Sequence, residues 1–171
     1  MKPVLLAASL CAVLAAQQFQ FNLDRLAAKA SNAVDLSLNG PTLQFAAKFL
    51  DSKDPDEAKV KKLLEGIEGI YVKSFEFKTA GQYAPADVDS VRAQLRAPEW
   101  SRIVGVKSSE DDENAEIYVR TASKKITGVA ILCAAPKELT VVNIVGPVDL
   151  DTLAELGGHF GVPKLQNAPK K

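Results

Sequence analysis

The stretch Lys125-Ile126-Thr127-Gly128-Val129-Ala130-Ile131-Leu132-Cys133-Ala134, followed by Ala135-Pro136-Lys137-Glu138 and then Leu139-Thr140-Val141-Val142-Asn143-Ile144-Val145, decides the fold. Two runs rich in β-branched residues are joined by a short proline-bearing connection. Such a connection suits antiparallel neighbours, because a parallel pair needs a crossover of roughly a dozen residues or more. Side chains alternate along a strand, so each run divides into two sides. Ile126, Ala130 and Leu132 oppose Val129, Ile131 and Cys133; Val141 and Val145 oppose Val142 and Ile144. Strands that are apolar on both sides belong at the middle of a sheet with cover on each face, or at an oligomer contact.

Working outward, the preceding segments read as strands near Arg102–Lys107 and Glu116–Arg120. They are joined through Ser108–Asn114 and Thr121-Ala122-Ser123, which extends the pair to an antiparallel meander. Earlier still, Ile70–Phe77 alternates, with Tyr71, Phe75 and Phe77 on one side and Ile70 and Val72 on the other. Val34-Asp35-Leu36-Ser37-Leu38 also alternates, and reads as a short strand with Val34, Leu36 and Leu38 facing inward.

Helical spacing fills the intervals. Leu23, Leu26, Ala27, Ala30 and Val34 form one stripe after a cap at Asn22, and Leu43, Ala46, Ala47 and Leu50 form another. The clearest helix start is Asp54-Pro55, with Glu57 completing a capping box and Gly66 placed to end the helix in a left-handed conformation. Val60, Leu63, Leu64 and Ile67 make its buried side. A helix entered at Pro85 turns Val88, Val91 and Leu95 inward and stops at Ala97-Pro98. A last helix, capped by Asp149, buries Leu150 and Leu153 and ends at Gly157-Gly158. The reading is α+β: an antiparallel sheet of four to five main strands packed by several helices, in one domain over 16–162. Helices drawn from the first half of such a chain tend to collect on one face of the sheet. The opposite face would then stay partly bare and apolar. Association through the sheet is the expectation, as a homo-oligomer or with an envelope protein.

The chain has 171 residues, 21 of them basic and 21 acidic. Its first residues have the layout of a secretory signal peptide: Lys2, an apolar run from Val4 to Ala16, and small residues at the exit. The cut is placed after Ala15, so 1–15 is the signal, and the location is periplasmic or secreted. The run is shorter than the roughly 20 residues a spanning helix needs, and no later segment spans a membrane. Removal of the signal takes Cys11 with it and leaves Cys133 as the one thiol, so no internal disulfide forms and a packed core must stabilise the domain. The balanced charge lacks the electrostatic footprint of a nucleic-acid binder. The tail 163–171 reads as disordered.

Four segments together carry a resemblance: Gly69–Phe77, Trp100-Ser101-Arg102-Ile103-Val104, Ile126-Thr127-Gly128 and Lys137–Gly146. In order and over roughly Leu23 to Gly158, the chain resembles a bacterial family of exported proteins described only as carrying a domain of unknown function. The resemblance implies an exported α+β domain. Some relatives look lipid-anchored, a feature that the Leu10-Cys11 context does not match.

The residues give little reactive chemistry. Any Ser-His-Asp triad or histidine metal site must pass through His159, the one histidine, in a glycine-rich turn. Cys133 lies in a strand read as buried, away from the exposed electropositive setting a catalytic thiol needs. Glu110-Asp111-Asp112-Glu113-Asn114 lacks the alternating ligands and central glycine of a calcium loop and reads as a solvated hairpin. Trp100 reads as a plug at the end of the core; with Tyr71, Tyr83 and Tyr118 it could also line a groove. Asn143, polar in an apolar strand, is expected to satisfy backbone groups at a turn or bulge. Lys73, Lys78, Arg92, Arg96, Arg102 and Lys107 would gather into a basic surface if the strands near 72–78 and 102–107 were neighbours. No catalytic residue, metal ligand or cofactor is assigned, and no ligand-binding residue is singled out. The expected function is an exported, non-enzymatic binding or interaction module of the bacterial envelope. A small-ligand carrier with a pocket between helices and sheet, and a hydrolase with an unrecognised site, are the alternatives.

Overall fold

A computed structural model of the chain describes residues 22–108 and 112–148. The two doubly apolar runs become β5 (Lys125–Ala135) and β6 (Glu138–Val145), paired antiparallel from Gly128↔Val145 to Ala135↔Glu138. They lie at the middle of a six-stranded sheet with β1 (Asn32–Asn39), β2 (Gly69–Glu76), β3 (Trp100–Lys107) and β4 (Asn114–Ala122). The spatial order is β1-β2-β6-β5-β4-β3, and every neighbouring pair is antiparallel. The α+β class and the meander β3-β4-β5-β6 are those expected from the sequence. The strand count is six rather than four to five, because β1 pairs with β2 over its whole length.

The order dictates one long connection. β2 and β3 run in the same direction but are separated by β6, β5 and β4. The chain must return the length of the sheet between them, and α4 (Pro85–Gln94) makes that return. Its Val88, Val91 and Leu95 pack with Phe75, Leu132, Leu139 and Val141 on what we term the first face. Leu23 and Leu26, which flank and belong to α1 (Asp24–Ala27), join the same cluster. On the second face, Leu43 of α2 (Gly40–Ala47) and Leu63, Leu64 and Ile67, in and just after α3 (Pro55–Gly66), pack with Val119, Val129 and Ile144. The helices therefore divide between both faces and do not collect on one. The reason is topological: α4 must cross the sheet, whereas α2 and α3 are an insertion between two adjacent strands and take the other side.

Local chemistry explains the caps. Asn39 accepts the Thr42 amide at 3.0 Å and starts α2. Asp54 accepts the Asp56 and Glu57 amides at 2.8 and 3.2 Å and starts α3, with Pro55 at the first helical position. The Glu57 carboxylate reaches past Asp54 to the Asp51 amide, 2.5 Å away, so the capping box is replaced by a wider loop closure. The four-residue α1 has no side-chain cap from Asn22 and is far shorter than the stripe Leu23–Val34 suggested. From Ser31 onward the backbone is captured by β2, beginning with the Ser31 amide on the Glu76 carbonyl at 2.8 Å. The ladder wins over helical periodicity because it satisfies a whole row of backbone groups.

Two further differences have plain causes. Ile126 was placed with Ala130 and Leu132, but it packs on the second face with Val129. The register shifts between Arg120 and Thr121 of β4, so Arg120 pairs with Gly128 and Thr121 with Ile126. The unpaired residue reverses the alternation. Gly66 does not adopt a left-handed conformation; α3 runs into extended Ile67 instead. The positive φ falls on Gly146, at 122°. A Cβ at Gly146 would lie 2.8 Å from both the Gly66 carbonyl oxygen and the Glu68 amide nitrogen, so the end of β6 meets the end of α3 backbone to backbone.

Gly146→Ala should lower stability by about 1–3 kcal/mol, because it combines an unfavourable φ with an immovable contact. Gly81, at φ 78° but with open space around it, should lose only about 1 kcal/mol on the same change. Urea unfolding of both variants checks this; equal losses would remove the backbone contact as the cause.

Candidate functional site on the second face of the sheet

The registers place six apolar side chains in one row across all six strands. Leu36 faces Val72, Val72 faces Val142, Val142 faces Ile131, Ile131 faces Ile117, and Ile117 faces Val104. At about 4.8 Å per strand the row is ~24 Å long. The adjacent row, Leu38, Ile70, Ile144, Val129 and Val119, lies under α2 and α3. The helices stop there. Ile131, at the centre of the first row, is buried; Val72, Val142, Ile117 and Val104 are only half-buried, and Leu36 is 39% exposed. The row beyond contains Val34, Ser74, Thr140, Cys133, Ala115 and Val106, with Val34 44% and Val106 53% exposed at its two ends. On the same face, Phe45 of α2 and Phe49, just after it, are in edge-to-face contact, and both are largely exposed.

Val34 and Leu36 do not face inward as expected. β1 is an edge strand, and α2 covers only its Leu38 end. The far end of the face is acidic: Glu76 and Glu138 stand directly opposite each other in the ladder, with Glu113 nearby in the β3–β4 hairpin. Opposed like charges oppose folding unless something offsets them. Cys133 lies at this end and is half-buried rather than deep in the core. Burial, then the charges of Glu138 and Glu113, push its thiol up, so the thiolate is scarce at neutral pH.

The first face holds the buried polar chemistry. Glu116 is 5% exposed and accepts hydrogen bonds from the Arg92 guanidinium and the Tyr118 hydroxyl; the Arg102 guanidinium lies 3.7 Å away. Burial pushes the Glu116 carboxyl up, but Arg92, Tyr118 and the cationic neighbours outweigh this and hold it below the ordinary range. Tyr118 is pushed up to about 12 by burial and by its bond to the carboxylate. Asp87, also buried, accepts the Ala84 amide at 2.8 Å and pairs with Arg25. Lys73 bridges Asp24 and Asp35 at 2.5 and 2.9 Å. Burial pulls its ammonium down, and the two carboxylates more than restore it. These groups tie α1, α4 and β1 to the sheet, and each charge has a partner.

The expected basic surface does not form, since β2 and β3 are three strands apart. Lys73 is committed to α1 and β1, while Arg92 and Arg102 surround Glu116. Trp100 is buried at the end of the first-face core, with Arg120 over its ring at 5.9 Å. Tyr83 donates to the Ala135 carbonyl beside a surface depression of about 380 Å³ that Arg92 and Asn114 also line. Tyr71 folds over Gly69, where a Cβ would come within 2.8 Å of the Tyr71 hydroxyl. Asn143 is a correction: it lies in regular β6 opposite Tyr71 and Ala130, not at a turn or bulge. Its side chain is fully buried, and neither Oδ1 nor Nδ2 has a hydrogen-bond partner among the described residues. In the acidic loop, Asp112 takes φ 52° and the Ser108 amide bonds the Glu113 carbonyl at 2.8 Å, closing the hairpin. Glu110 and Asp111, the signal 1–15 with Cys11, the helix from Asp149, His159 and the tail 163–171 lie outside the described residues.

This sheet, its inserted helix pair and its meander coincide with a known family pattern over residues 27–156. The chain belongs to the DUF4252 family, a domain of unknown function. No curated protein matches it. The family match begins at the last residue of α1 and continues eight residues past Val148, so the family's domain includes chain beyond β6.

Two expected outcomes follow from the buried polar groups. Glu116 is depressed in the folded state, so its stabilising contribution is present above the ordinary glutamate value of 4.5 and is lost as pH falls through the folded value. Thermal unfolding from pH 7 to pH 2.5 should therefore show a steep acid loss in the native chain. Glu116→Gln should be less stable at pH 7 by about 1–3 kcal/mol, with a shallower acid slope. Equal slopes would show that the carboxylate does not contribute. Asn143→Val should raise stability by about 1–2 kcal/mol, because an unpartnered buried amide is removed. A loss instead would mean that the amide has a bonded partner, such as an internal water.

Proposed function

We propose that this chain is an exported, non-enzymatic interaction module of the bacterial cell envelope, and that it engages a protein partner through the second face of its sheet. The observation that supports this reading is the partly covered apolar row Leu36–Val72–Val142–Ile131–Ile117–Val104, which crosses every strand, with Val34 and Val106 exposed at the two ends of the next row and Phe45 of α2 exposed on the same face. A contiguous exposed apolar surface beside polar edges is a common mark of a protein contact. The N-terminal pattern from Lys2 to Ala15 supports the periplasmic or secreted location. The buried carboxylates of the first face, Glu116 and Asp87, are each engaged by an arginine, which favours a scaffold over a reactive site.

The carrier alternative needs a pocket between helices and sheet. Ligand sites of that kind enclose most of the ligand's surface. The depressions beside Tyr83 and beside Glu138 are at the surface, and Arg92 at the first is already bound to Glu116 and Asp89. The interaction reading is preferred on that ground.

Light scattering and capture from envelope extracts test it, using Leu36→Lys, Val106→Lys and Val142→Lys. Each places a charge on the second face at a partly exposed position. Association should be lost while the circular dichroism spectrum and cooperative unfolding persist. Association unaffected by all three variants would defeat the reading.

A further inference from the structure

The sheet has two edges, and they are built differently. β3 carries the devices that keep an edge from pairing with another chain. A register shift between Arg102 and Val104 leaves Ile103 out of the ladder, and Arg102 and Lys107 put cations on the strand. β1 carries none of these. It pairs with β2 from Asn32 to Asn39 without a register shift, and it contains no proline, lysine or arginine. All of its residues except Leu38 are exposed, and among the described residues nothing pairs with its outer side.

Ladder geometry shows which backbone groups are free. Antiparallel partners alternate between pairs that exchange hydrogen bonds and pairs that do not. The Phe77 amide bonds the Lys137 carbonyl on the β6 side of β2, and the Glu76 carbonyl accepts the Ser31 amide on the β1 side. Even-numbered residues of β2 therefore turn their backbone groups toward β1, where they meet Val34, Leu36 and Leu38. The amides and carbonyls of Ala33, Asp35 and Ser37 point off the sheet.

We infer that this edge joins a second copy of the chain, β1 against β1, antiparallel about a two-fold axis at Leu36. That register sets Leu36 against Leu36 of the second copy, Val34 against its Leu38, and Asp35 against its Ser37. Residues 33–39 pair, a span longer than the roughly five or six residues of an ordinary strand. Val34, Leu36 and Leu38 all lie on the second face, so the apolar row through Leu36 continues into the other copy. Charge selects the register. Asp35 is the one charged residue in the paired span, with Lys73 of its own chain 2.9 Å away. Centring on Asp35 would set two carboxylates directly opposite each other, which is unfavourable. Centring on Ser37 would pair only residues 35–39. Asp24, which shares Lys73 with Asp35, lies in α1; Lys29, and Glu76 opposite Asn32, lie past the end of the span; α2 carries no charge. The helices leave room as well. α1 precedes β1 and packs on the first face, whereas α2 follows it on the second. The two-fold axis therefore brings α2 of one copy beside α1 of the other on opposite sides of the sheet. This edge contact is independent of the partner proposed for the rest of the second face.

Cysteine trapping reads the register. The full chain carries Cys11→Ser and Cys133→Ser, one new cysteine at a time, and oxidised glutathione as the oxidant. Leu36 and its copy form a non-hydrogen-bonded pair, whose Cβ atoms approach closely enough for a disulfide. Leu36→Cys should give a linked dimer at least about tenfold faster than Val106→Cys, an exposed position at the other edge, because thiols held opposite each other react at a high effective concentration. Leu38→Cys alone should link slowly, and Val34→Cys mixed with Leu38→Cys should link quickly as unlike pairs. Ser37→Pro removes an outward amide and spares the bonds to β2. Light scattering should give it half the native mass, with cooperative unfolding retained. The cysteine variants keep the test valid if the proline impairs folding.

Leu36→Cys linking no faster than Val106→Cys overturns the inference, as does a native chain of monomeric mass. Linking of Leu36→Cys only when mixed with Val106→Cys would place β3 of the next copy on this edge, and also overturns it. If Leu36→Cys fails to link while Val142→Lys still abolishes capture of an envelope partner, the face reading stands and the edge dimer falls. If Leu36→Cys links as expected while no variant of the face affects capture, the edge dimer stands and the face reading falls.

Discussion

The pairing of β5 with β6 is the constraint on which the rest depends. Both strands are apolar on two sides, so neither can tolerate water on either face over its full length. Burying both sides needs cover from two directions, and the chain supplies it with two unrelated devices. α4 covers the first face because the β2-to-β3 connection has to travel there anyway. α2 and α3 cover the second face as an insertion that connectivity does not require. The first cover extends along the sheet; the second is local and ends at the row of Ile144 and Val129. The partly covered row from Leu36 to Val104 is the direct consequence of that difference.

Charge is handled differently on the two faces. On the first, a buried carboxylate is acceptable because two guanidinium groups and a phenol surround Glu116. A buried ion without partners would be far more costly than any hydrophobic gain could offset. On the second face, Glu76 and Glu138 stand opposite each other at the end of the ladder, and the next pair on that face, Ser74 and Thr140, carries no charge. One face is electrostatically complete, and the other shows a local imbalance at its open end.

Much of the architecture was legible in the residues. The meander, the α4 stripe Val88-Val91-Leu95 and the Asp54-Pro55 start all depend on contacts within a few residues, where periodicity and capping are decisive. What was not legible depended on distant pairing. Val34 alternates perfectly and so looked buried, but its exposure is set by the sheet order, which leaves β1 at an edge. Ile126 reversed sides because Thr127, beside it in β5, is an extra residue with no partner in β4. Lys73 and Arg102 looked like partners in a basic surface until the order placed three strands between them. The apolar row itself was anticipated only in general form, as a face left partly uncovered. Its six members required the registers, and no alternation within one strand could have supplied them.

The ladder between β2 and β6 has a kinetic meaning. β3, β4, β5 and β6 can pair in sequence, each with the segment just made, whereas β2 must find β6 across more than 60 residues of intervening chain. Closing so long a loop is entropically unfavourable before the contacts it permits can compensate. The meander is thus the part able to form early, and until β2 arrives, one long margin of β6 stands unpaired. During that interval the chain exposes the backbone edge of an apolar strand, a margin open to pairing with a second chain before its own β2 arrives.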